Sequence, residues 1–186
     1  MMLRLLIFSL ALVLAGCGQP ASQPPAKSGV PGFVLTSPVF SNNEAIPTKY
    51  TADGQGISPP LAWTSAPETT NGFALIMDDP DAPRGTYTHW VVYRLPPGST
   101  SLAEDISRSG VAVTDYPYQG LNSAGSRGYT PPSPPPGKAH HYIFHLYALD
   151  APVNLPPGAG ADDLRKAIDG HVLATAELTG TYQRTR

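Results

Sequence analysis

The stretch ALIMDDPDAPRGTYTHWVVYRL, residues 74–95, decides the fold. Two apolar runs, Ala74–Met77 and Trp90–Tyr93, flank a centre that holds two prolines and a glycine. Short runs rich in β-branched and aromatic residues predict strands, whereas proline and glycine interrupt a strand ladder. The stretch therefore predicts a hairpin-like unit with three carboxylates at its tip and a histidine, His89, entering the second strand.

Composition indicates a folded, loop-rich β protein of one domain. The chain has 186 residues, of which 41% are hydrophobic and 22 are proline. That apolar content separates it from disordered chains, and the length suits a single domain with a sizeable core. A net charge of −2 without a Lys/Arg cluster argues against nucleic acid as a partner. The single cysteine, Cys17, excludes an intramolecular disulfide.

The first 16 residues predict a signal peptide. Arg4 precedes an apolar run, Leu5–Leu14, which is shorter than the roughly 20 residues needed to span a bilayer. The sequence Leu14-Ala15-Gly16-Cys17 resembles the lipobox of bacterial lipoproteins. By that resemblance Cys17 would carry acyl chains such as palmitate. The protein would then be anchored in the bacterial cell envelope, on the periplasmic side of the outer membrane in a diderm. A plain secretory signal with an incidental Cys17 is the alternative.

Composition divides the chain into three parts. Residues 1–16 form the predicted lipoprotein signal peptide, and residues 17–32 form a flexible tether rich in Pro, Ser and Ala. Residues 33–186 form the predicted folded domain, whose size is ordinary for a single domain.

Hydrophobic patterns in the folded part predict mainly antiparallel β structure with one or two short helices near the C-terminus. Alternation predicts that His140–Leu149 is a strand whose even-numbered residues share one face. Asp162–Asp169 predicts a helix that ends at Gly170, while residues 172–182 leave helix and strand open. The remaining predicted strands are Phe33–Ser37, Glu44–Tyr50 at an edge because of Pro47, Phe73–Met77 buried on both faces, and Thr88–Leu95.

Acidic and histidine side chains at predicted strand ends are the candidates for a site. Alternation along Thr88–Leu95 assigns His89 to the face of Val91, Tyr93 and Leu95, and Trp90 to the opposite face. The candidates are Asp79 and Asp81 at the hairpin tip, His89 on the following strand, and His140 with Tyr142 on one face of a later strand. Asp78 and Asp81 suit Asx-type turns, in which a side-chain oxygen accepts a backbone N–H.

Other chemistries find little support in the residues. A Gly-x-Ser-x-Gly nucleophile elbow and the phosphate-cradling glycine-rich motifs are absent from the sequence. His141 and His145 would lie about 13 Å apart on a strand, too far to share a metal ion. Composition and spacing therefore predict an exported β domain with an acidic and histidine-containing pocket.

The motifs of the folded part resemble those of phosphatidylethanolamine-binding proteins, in particular the bacterial Raf-kinase-inhibitor-like branch. They are Asp79-Pro80-Asp81-Ala82-Pro83, His89-Trp90, Gly128-Tyr129, Pro134-Pro135-Pro136-Gly137 and His140-His141-Tyr142. The resemblance covers residues 33–186 and implies a large antiparallel sheet packed on a smaller sheet, with a small anion-accepting pocket. The sequence departs from the family at Thr130-Pro131-Pro132-Ser133, and at His141, where relatives usually have arginine.

The resemblance also implies which residues bind a ligand. Asp79, His89, His140 and Tyr142 would form the pocket, with Pro83, Trp90 and the loop ending at Gly137 as its walls. The histidines would donate N–H groups to ligand oxygens, and Tyr142 could add a hydroxyl. Asp79 would orient a histidine tautomer or pair with an ammonium group of the ligand.

The leading functional prediction is a non-enzymatic, membrane-tethered protein that binds a small anionic or phosphoryl ligand such as phosphoethanolamine, without cofactor or metal. The first alternative is an inhibitor of an envelope protease or kinase, because family members inhibit such enzymes. The second alternative is a hydrolase that uses Asp79 with His89 or His140.

Overall fold

The computed structural model describes residues 32–106 and 117–185. The predicted signal peptide, Cys17 and all of the predicted tether except Gly32 lie outside these residues. Within them the strands are β1 (Val34–Thr36), β2 (Glu44–Ala45), β3 (Leu61–Thr64), β4 (Gly72–Asp79), β5 (Tyr87–Leu95), β6 (Ser101–Leu102), β7 (Tyr118–Gln119), β8 (His140–Leu149) and β9 (Val172–Tyr182). The helices are a 3-10 turn, Thr48–Tyr50, and α1 (Ala161–Ile168). No helix in the described ranges is long and apolar enough to cross a membrane.

Two sheets form the domain, which confirms the predicted mainly β fold. The larger sheet has the order β2-β9-β8-β4-β5-β7, and the smaller has the order β1-β3-β6. All pairs are antiparallel except β2 with β9. The predicted helix over Asp162–Asp169 is confirmed as α1, which closely matches the predicted range.

Strand β4 lies near the middle of the larger sheet and is buried on both faces, as predicted. Phe73 belongs to the core cluster shared with the smaller sheet and packs on the rings of Phe33 and Trp63. Ile76 points to the other face, into a second cluster with Leu164 of α1. Layers on both sides explain why this run is continuously apolar rather than alternating.

The predicted strand Glu44–Tyr50 is wrong beyond its first two residues. Strand β2 covers only Glu44–Ala45 and lies at the edge of the larger sheet. Pro47 then precedes the 3-10 turn Thr48–Tyr50. A proline has no N–H to donate to a ladder, which accounts for the early end of the strand.

The C-terminal segment, which periodicity left open, is a strand. Strand β9 pairs with β8 from His140↔Tyr182 to Leu149↔Val172. Hydrogen bonds to β8 stabilise this segment as a strand. The local sequence pattern could not predict this outcome, because the partner strand is distant in sequence.

Candidate functional site

Four predicted residues meet at one end of the larger sheet: Asp79, His89, His140 and Tyr142. Strands β4 and β8 are antiparallel with Asp78 opposite Ile143, so the end of β4 lies beside the start of β8. The four side chains are almost completely buried, with exposed fractions of 4%, 5%, 7% and 0% in the order given. We call these four residues the histidine cluster.

A β-bulge aims His89 into the cluster. Met77 pairs with Trp90 and Asp78 pairs with Thr88, so His89 has no partner across the ladder. The extra residue turns His89 to the face of Trp90, and the alternation that grouped it with Val91 and Tyr93 is wrong. Bulges re-aim side chains in this way at functional sites. A second irregularity, at Arg94 with φ of 59°, moves Leu95 to the same face as Trp90.

Both oxygens of the Asp79 carboxylate accept hydrogen bonds from the protein. Its Oδ1 accepts the N–H of Asp81 at 2.9 Å, which makes an Asx-type turn. Its Oδ2 accepts a hydrogen bond from Nδ1 of His140 at 2.8 Å. A carboxylate only accepts, so the His140 proton must sit on Nδ1. Of the two predicted roles for Asp79, this geometry favours orienting a histidine tautomer.

His89 is held in the same tautomer by a different partner. Its Nδ1 donates to the carbonyl oxygen of Thr130 at 2.7 Å, and its Nε2 lies 4.0 Å from Oδ2 of Asp79. Burial lowers the pKa of His89, while the bond to Thr130 and the charge of Asp79 oppose that effect. Within the described residues, neither His89 nor His140 has a hydrogen-bond partner at Nε2. A neutral ring therefore offers a lone pair at Nε2, and only a protonated ring donates there.

Tyr142 is the most deeply buried residue of the cluster. Its ring meets the ring of His89 edge-on, with centroids 5.1 Å apart and an interplanar angle of 82°. Its hydroxyl is buried without a well-formed hydrogen bond to any described residue. Burial, and then the neighbouring carboxylate of Asp79, raise the pKa of Tyr142 well above its usual value. The phenol therefore stays neutral and keeps its proton.

Asp78, predicted to form a turn, instead makes a buried ion pair on the opposite face of β4. It accepts the hydroxyl of Thr88 at 2.7 Å and Nη2 of Arg165 at 2.6 Å. The turn prediction for Asp78 is wrong because strand alternation sends this side chain toward α1, which carries Arg165. The pair ties α1 to the end of the strand that presents Asp79.

Asp81 also does not make the predicted turn. Its Oδ2 accepts the backbone N–H and Nδ1 of His141 at 2.9 and 2.6 Å, and Lys138 approaches Oδ1 at 3.5 Å. The hydrogen bonds from His141 lower the pKa of Asp81 to about 2. His141 therefore ties the hairpin tip to β8.

The three predicted wall residues occupy different environments. Pro83 is exposed at the hairpin tip. Trp90 is completely buried and donates from Nε1 to Oε1 of Gln119 at 2.9 Å, so it lies behind the site rather than on its surface. Gly137 is exposed, has φ of 128° and donates its N–H to the carbonyl of Arg184 at 3.0 Å.

Sequence reasoning missed two features beside the cluster. Arg184 makes a bidentate pair with Asp53, at 2.6 and 2.7 Å, and the hydroxyl of Tyr182 also donates to Asp53 at 2.7 Å. Tyr182 pairs with His140 at the start of β8, so these bonds to Asp53 lie beside the histidine cluster. The other missed feature is the backbone carbonyl of Thr130, which no side-chain motif reveals.

The described residues contain no group of three or more His, Cys, Asp or Glu side chains that could hold a metal ion. His141 and His145 bond separate carboxylates, Asp81 and Glu177. A shallow depression of about 590 Å³ lies elsewhere, between residues 155–159 and α1.

Comparison with known proteins places this geometry in context. The family described as phosphatidylethanolamine-binding protein matches residues 36–183. A UPF0098 protein of Methanothermobacter thermautotrophicus is 46% identical over 150 residues, which cover 81% of this chain and 98% of that protein. A UPF0098 protein of Chlamydia trachomatis is 44% identical over 155 residues, which cover 81% and 98%.

Two solved structures share the fold. CT736 of Chlamydia trachomatis, described as a phosphatidylethanolamine-binding protein homolog, superposes with a TM-score of 0.75 at 42% identity. That match covers 82% of this chain and 98% of CT736. YbcL of E. coli, described as a member of the mammalian PEBP family, gives a TM-score of 0.76 at 30% identity, over 82% of this chain and 99% of YbcL.

Proposed function

The chain belongs to the phosphatidylethanolamine-binding protein family, and on that premise we propose that it binds a small ligand through a phosphoryl group without transforming it. The observation that carries the proposal is the pair of oriented imidazoles. Two acceptors of the protein hold the Nδ1 protons of His89 and His140, so both rings keep Nε2 for a ligand. Tyr142 adds a buried hydroxyl with no well-formed bond to the described residues.

The burial of the histidine cluster supports binding of a ligand within the protein rather than at an exposed surface. A small polar group that enters a nearly dry site gains more from each hydrogen bond than it would in water. Such sites carry a few fixed polar groups against an apolar wall. Here the wall is the core that holds Phe144 and Trp90.

Calorimetric titration of the purified full chain with O-phosphoethanolamine tests this function. The variants His89→Ala and His140→Ala should each weaken binding by about tenfold or more, because each removes one fixed ligand contact. His171→Ala is the matched control, since His171 bonds Asp150 at 2.8 Å far from the cluster along the sheet. Thermal melts of all three variants establish that they are folded. Wild-type affinity in both cluster variants would refute the assignment.

We also propose that Cys17 anchors the protein to a membrane. The proposal rests on the Leu14-Ala15-Gly16-Cys17 sequence and on the Pro/Ser/Ala-rich residues that follow it. Several acyl chains are needed for stable anchoring, because one chain binds only marginally. Metabolic labelling with palmitate should mark the wild type and not Cys17→Ser, and the variant should leave the membrane fraction. Equal labelling of the two proteins would contradict the anchor. A protease or kinase target stays a prediction, which capture from envelope extract would test.

A further inference from the structure

The segment that follows β7, residues 120–130, bonds to β5 on both sides of the bulge at His89. We call this segment the bulge loop. We propose that Asn122 and Ser123 of the bulge loop are positioning residues, which act through His89 rather than on a ligand. The assignment rests on the proposed function, since it concerns how one of the two ligand-binding imidazoles is placed.

Two successive carbonyl groups at the bulge of β5 bond to the bulge loop. In a regular strand, successive carbonyls turn to opposite neighbours, and a bulge breaks that pattern. The carbonyl of Thr88 accepts the N–H of Ser123 at 2.9 Å, and the carbonyl of His89 accepts the N–H of Thr130 at 2.8 Å. Buried backbone groups require such partners, so the bulge loop completes the hydrogen bonding that the bulge interrupts.

Thr88 and His89 are each held by the bulge loop at two points. The hydroxyl of Ser123 accepts the N–H of Thr88 at 2.8 Å, in addition to the bond that the Ser123 backbone donates. Thr130 also uses two groups, because its N–H binds the His89 carbonyl and its own carbonyl accepts Nδ1 of the His89 ring. A shift of the bulge loop would therefore move the backbone of His89 and release its ring together.

The side chain of Asn122 holds the bulge loop in shape. Asn122 is 6% exposed, and its Nδ2 donates to the carbonyl of Gly128 at 3.1 Å, two residues before Thr130. Its Oδ1 accepts the N–H groups of Ala124 at 3.0 Å and of Ser126 at 3.2 Å. An amide combines a donor with an acceptor, which neither a carboxylate nor an aliphatic side chain can do. Asn122 therefore joins the two sides of the bulge loop.

His140 provides an internal reference for this role, because it is held by other parts of the fold. Its ring donates to Asp79 of β4, and its backbone pairs with Tyr182 of β9. A change confined to the bulge loop should thus disturb His89 and leave His140 as it is. General loss of structure would instead disturb both rings, since the two lie in the same buried cluster.

Nitrogen-15 spectra of the histidine rings in the full chain test the positioning role without a ligand. The variant Asn122→Asp replaces the Nδ2 donor with an oxygen that faces the Gly128 carbonyl, which breaks that bond with little change of shape. The released His89 ring should exchange between its two tautomers, because its Nε2 lies 4.0 Å from a second acceptor, Oδ2 of Asp79. Its signals should therefore move, while those of His140 stay in place.

Two further variants complete the set. Asn71→Asp is the matched control, because Nδ2 of Asn71 donates to a backbone carbonyl at 2.7 Å at the other end of the larger sheet. It should leave both rings unchanged. Ser123→Ala removes the hydroxyl that accepts the Thr88 N–H and should shift the His89 signals in the same direction. Because Ser123 is exposed, this variant tests the assignment even if Asn122→Asp fails to fold.

Calorimetric titration with O-phosphoethanolamine connects the positioning role to binding. Asn122→Asp should weaken binding by at least about threefold, and by no more than His89→Ala does, because it displaces the same ligand contact. In the His89→Ala background, Asn122→Asp should cause less than about a twofold further loss. A residue that acts through His89 has nothing left to position once that ring is removed.

The possible outcomes separate the positioning role from the proposed function. Wild-type His89 signals in both bulge-loop variants would overturn the assignment, as would equal losses of affinity with and without the His89 side chain. Equal shifts of the His89 and His140 signals would show general loosening and would also refute it. If the wild type does not bind O-phosphoethanolamine, the proposed function fails, whereas a selective shift of His89 would still support the positioning role.

Discussion

Replacing Asp79 with asparagine should reverse the polarity of His140. Asp79 accepts two hydrogen bonds, from the backbone N–H of Asp81 and from Nδ1 of His140. An asparagine has one accepting oxygen and one donating NH₂. The backbone N–H cannot change its role, whereas an imidazole can change its tautomer. The oxygen should therefore stay on Asp81, and the NH₂ should donate to Nδ1, which moves the ring proton to Nε2.

The expected cost to stability is small and the expected gain in anion binding is large. A charge-assisted bond becomes a neutral one, which costs about 1 kcal/mol, or about 2–4 °C in the melting temperature of a domain this size. The new N–H at Nε2 and the loss of one negative charge each favour sulfate by about 1 kcal/mol or more. At 1.4 kcal/mol for a factor of ten, sulfate affinity at pH 7 should rise by at least about tenfold.

Two measurements on the Asp79→Asn variant check this reasoning. Nitrogen-15 spectra of the histidine rings should show the His140 proton on Nε2 instead of Nδ1, and calorimetry should show the gain for sulfate. Asp150→Asn is the matched control, because Asp150 accepts from Nδ1 of His171 at the same 2.8 Å in an exposed position. It should leave ligand binding unchanged. A folded variant that keeps the proton on Nδ1, or that gains no affinity for sulfate, would refute the argument.

Three further predictions concern stability and are measured by urea unfolding. Gly180→Ala should cost about 1–3 kcal/mol, because the added Cβ would lie 2.8 Å from Cδ1 of Ile46 in a packed core. Asp78→Ala should cost about 2–3 kcal/mol, since it removes the buried carboxylate that the partly buried Arg165 contacts at 2.6 Å. Because burial depresses the pKa of His89, the unfolded chain binds its proton first, so stability should fall as pH drops below about 6.5.

Controls separate these effects from general damage. Gly98→Ala meets no atom within 4 Å, so a loss as large as that of Gly180→Ala would argue against the steric explanation. Asp162→Ala removes a weaker, exposed partner of Arg165 at 3.4 Å and should cost less than 1 kcal/mol. A folded His89→Gln variant should lose its share of the pH dependence. An unchanged profile would show that another group is responsible.

The features that could be predicted from the sequence are those that depend on short-range patterns or on motifs. Strand β8 and helix α1 follow from alternation and from helix-end signals, and the cluster residues follow from family motifs. The bulge at His89 could not be predicted, because it depends on how β5 registers against β4 rather than on local composition. The same limit applies to Asp53 and Arg184, which meet across 131 positions of sequence.

The neighbouring carboxylates Asp78 and Asp79 give β4 little tolerance for changes in length. Successive residues of a strand face opposite sides, so deleting or inserting one residue before them would move each carboxylate to the other face of the sheet. An insertion would bring Asp78 to the position that faces His140, and a deletion would bring Asp79 to the position that faces Arg165. The attachment of α1 and the orientation of His140 therefore both depend on the register of the Asp78-Asp79 dipeptide. Engineering of ligand preference is better directed at Pro83, Arg84 and Thr86 of the tip, where the side chains are exposed.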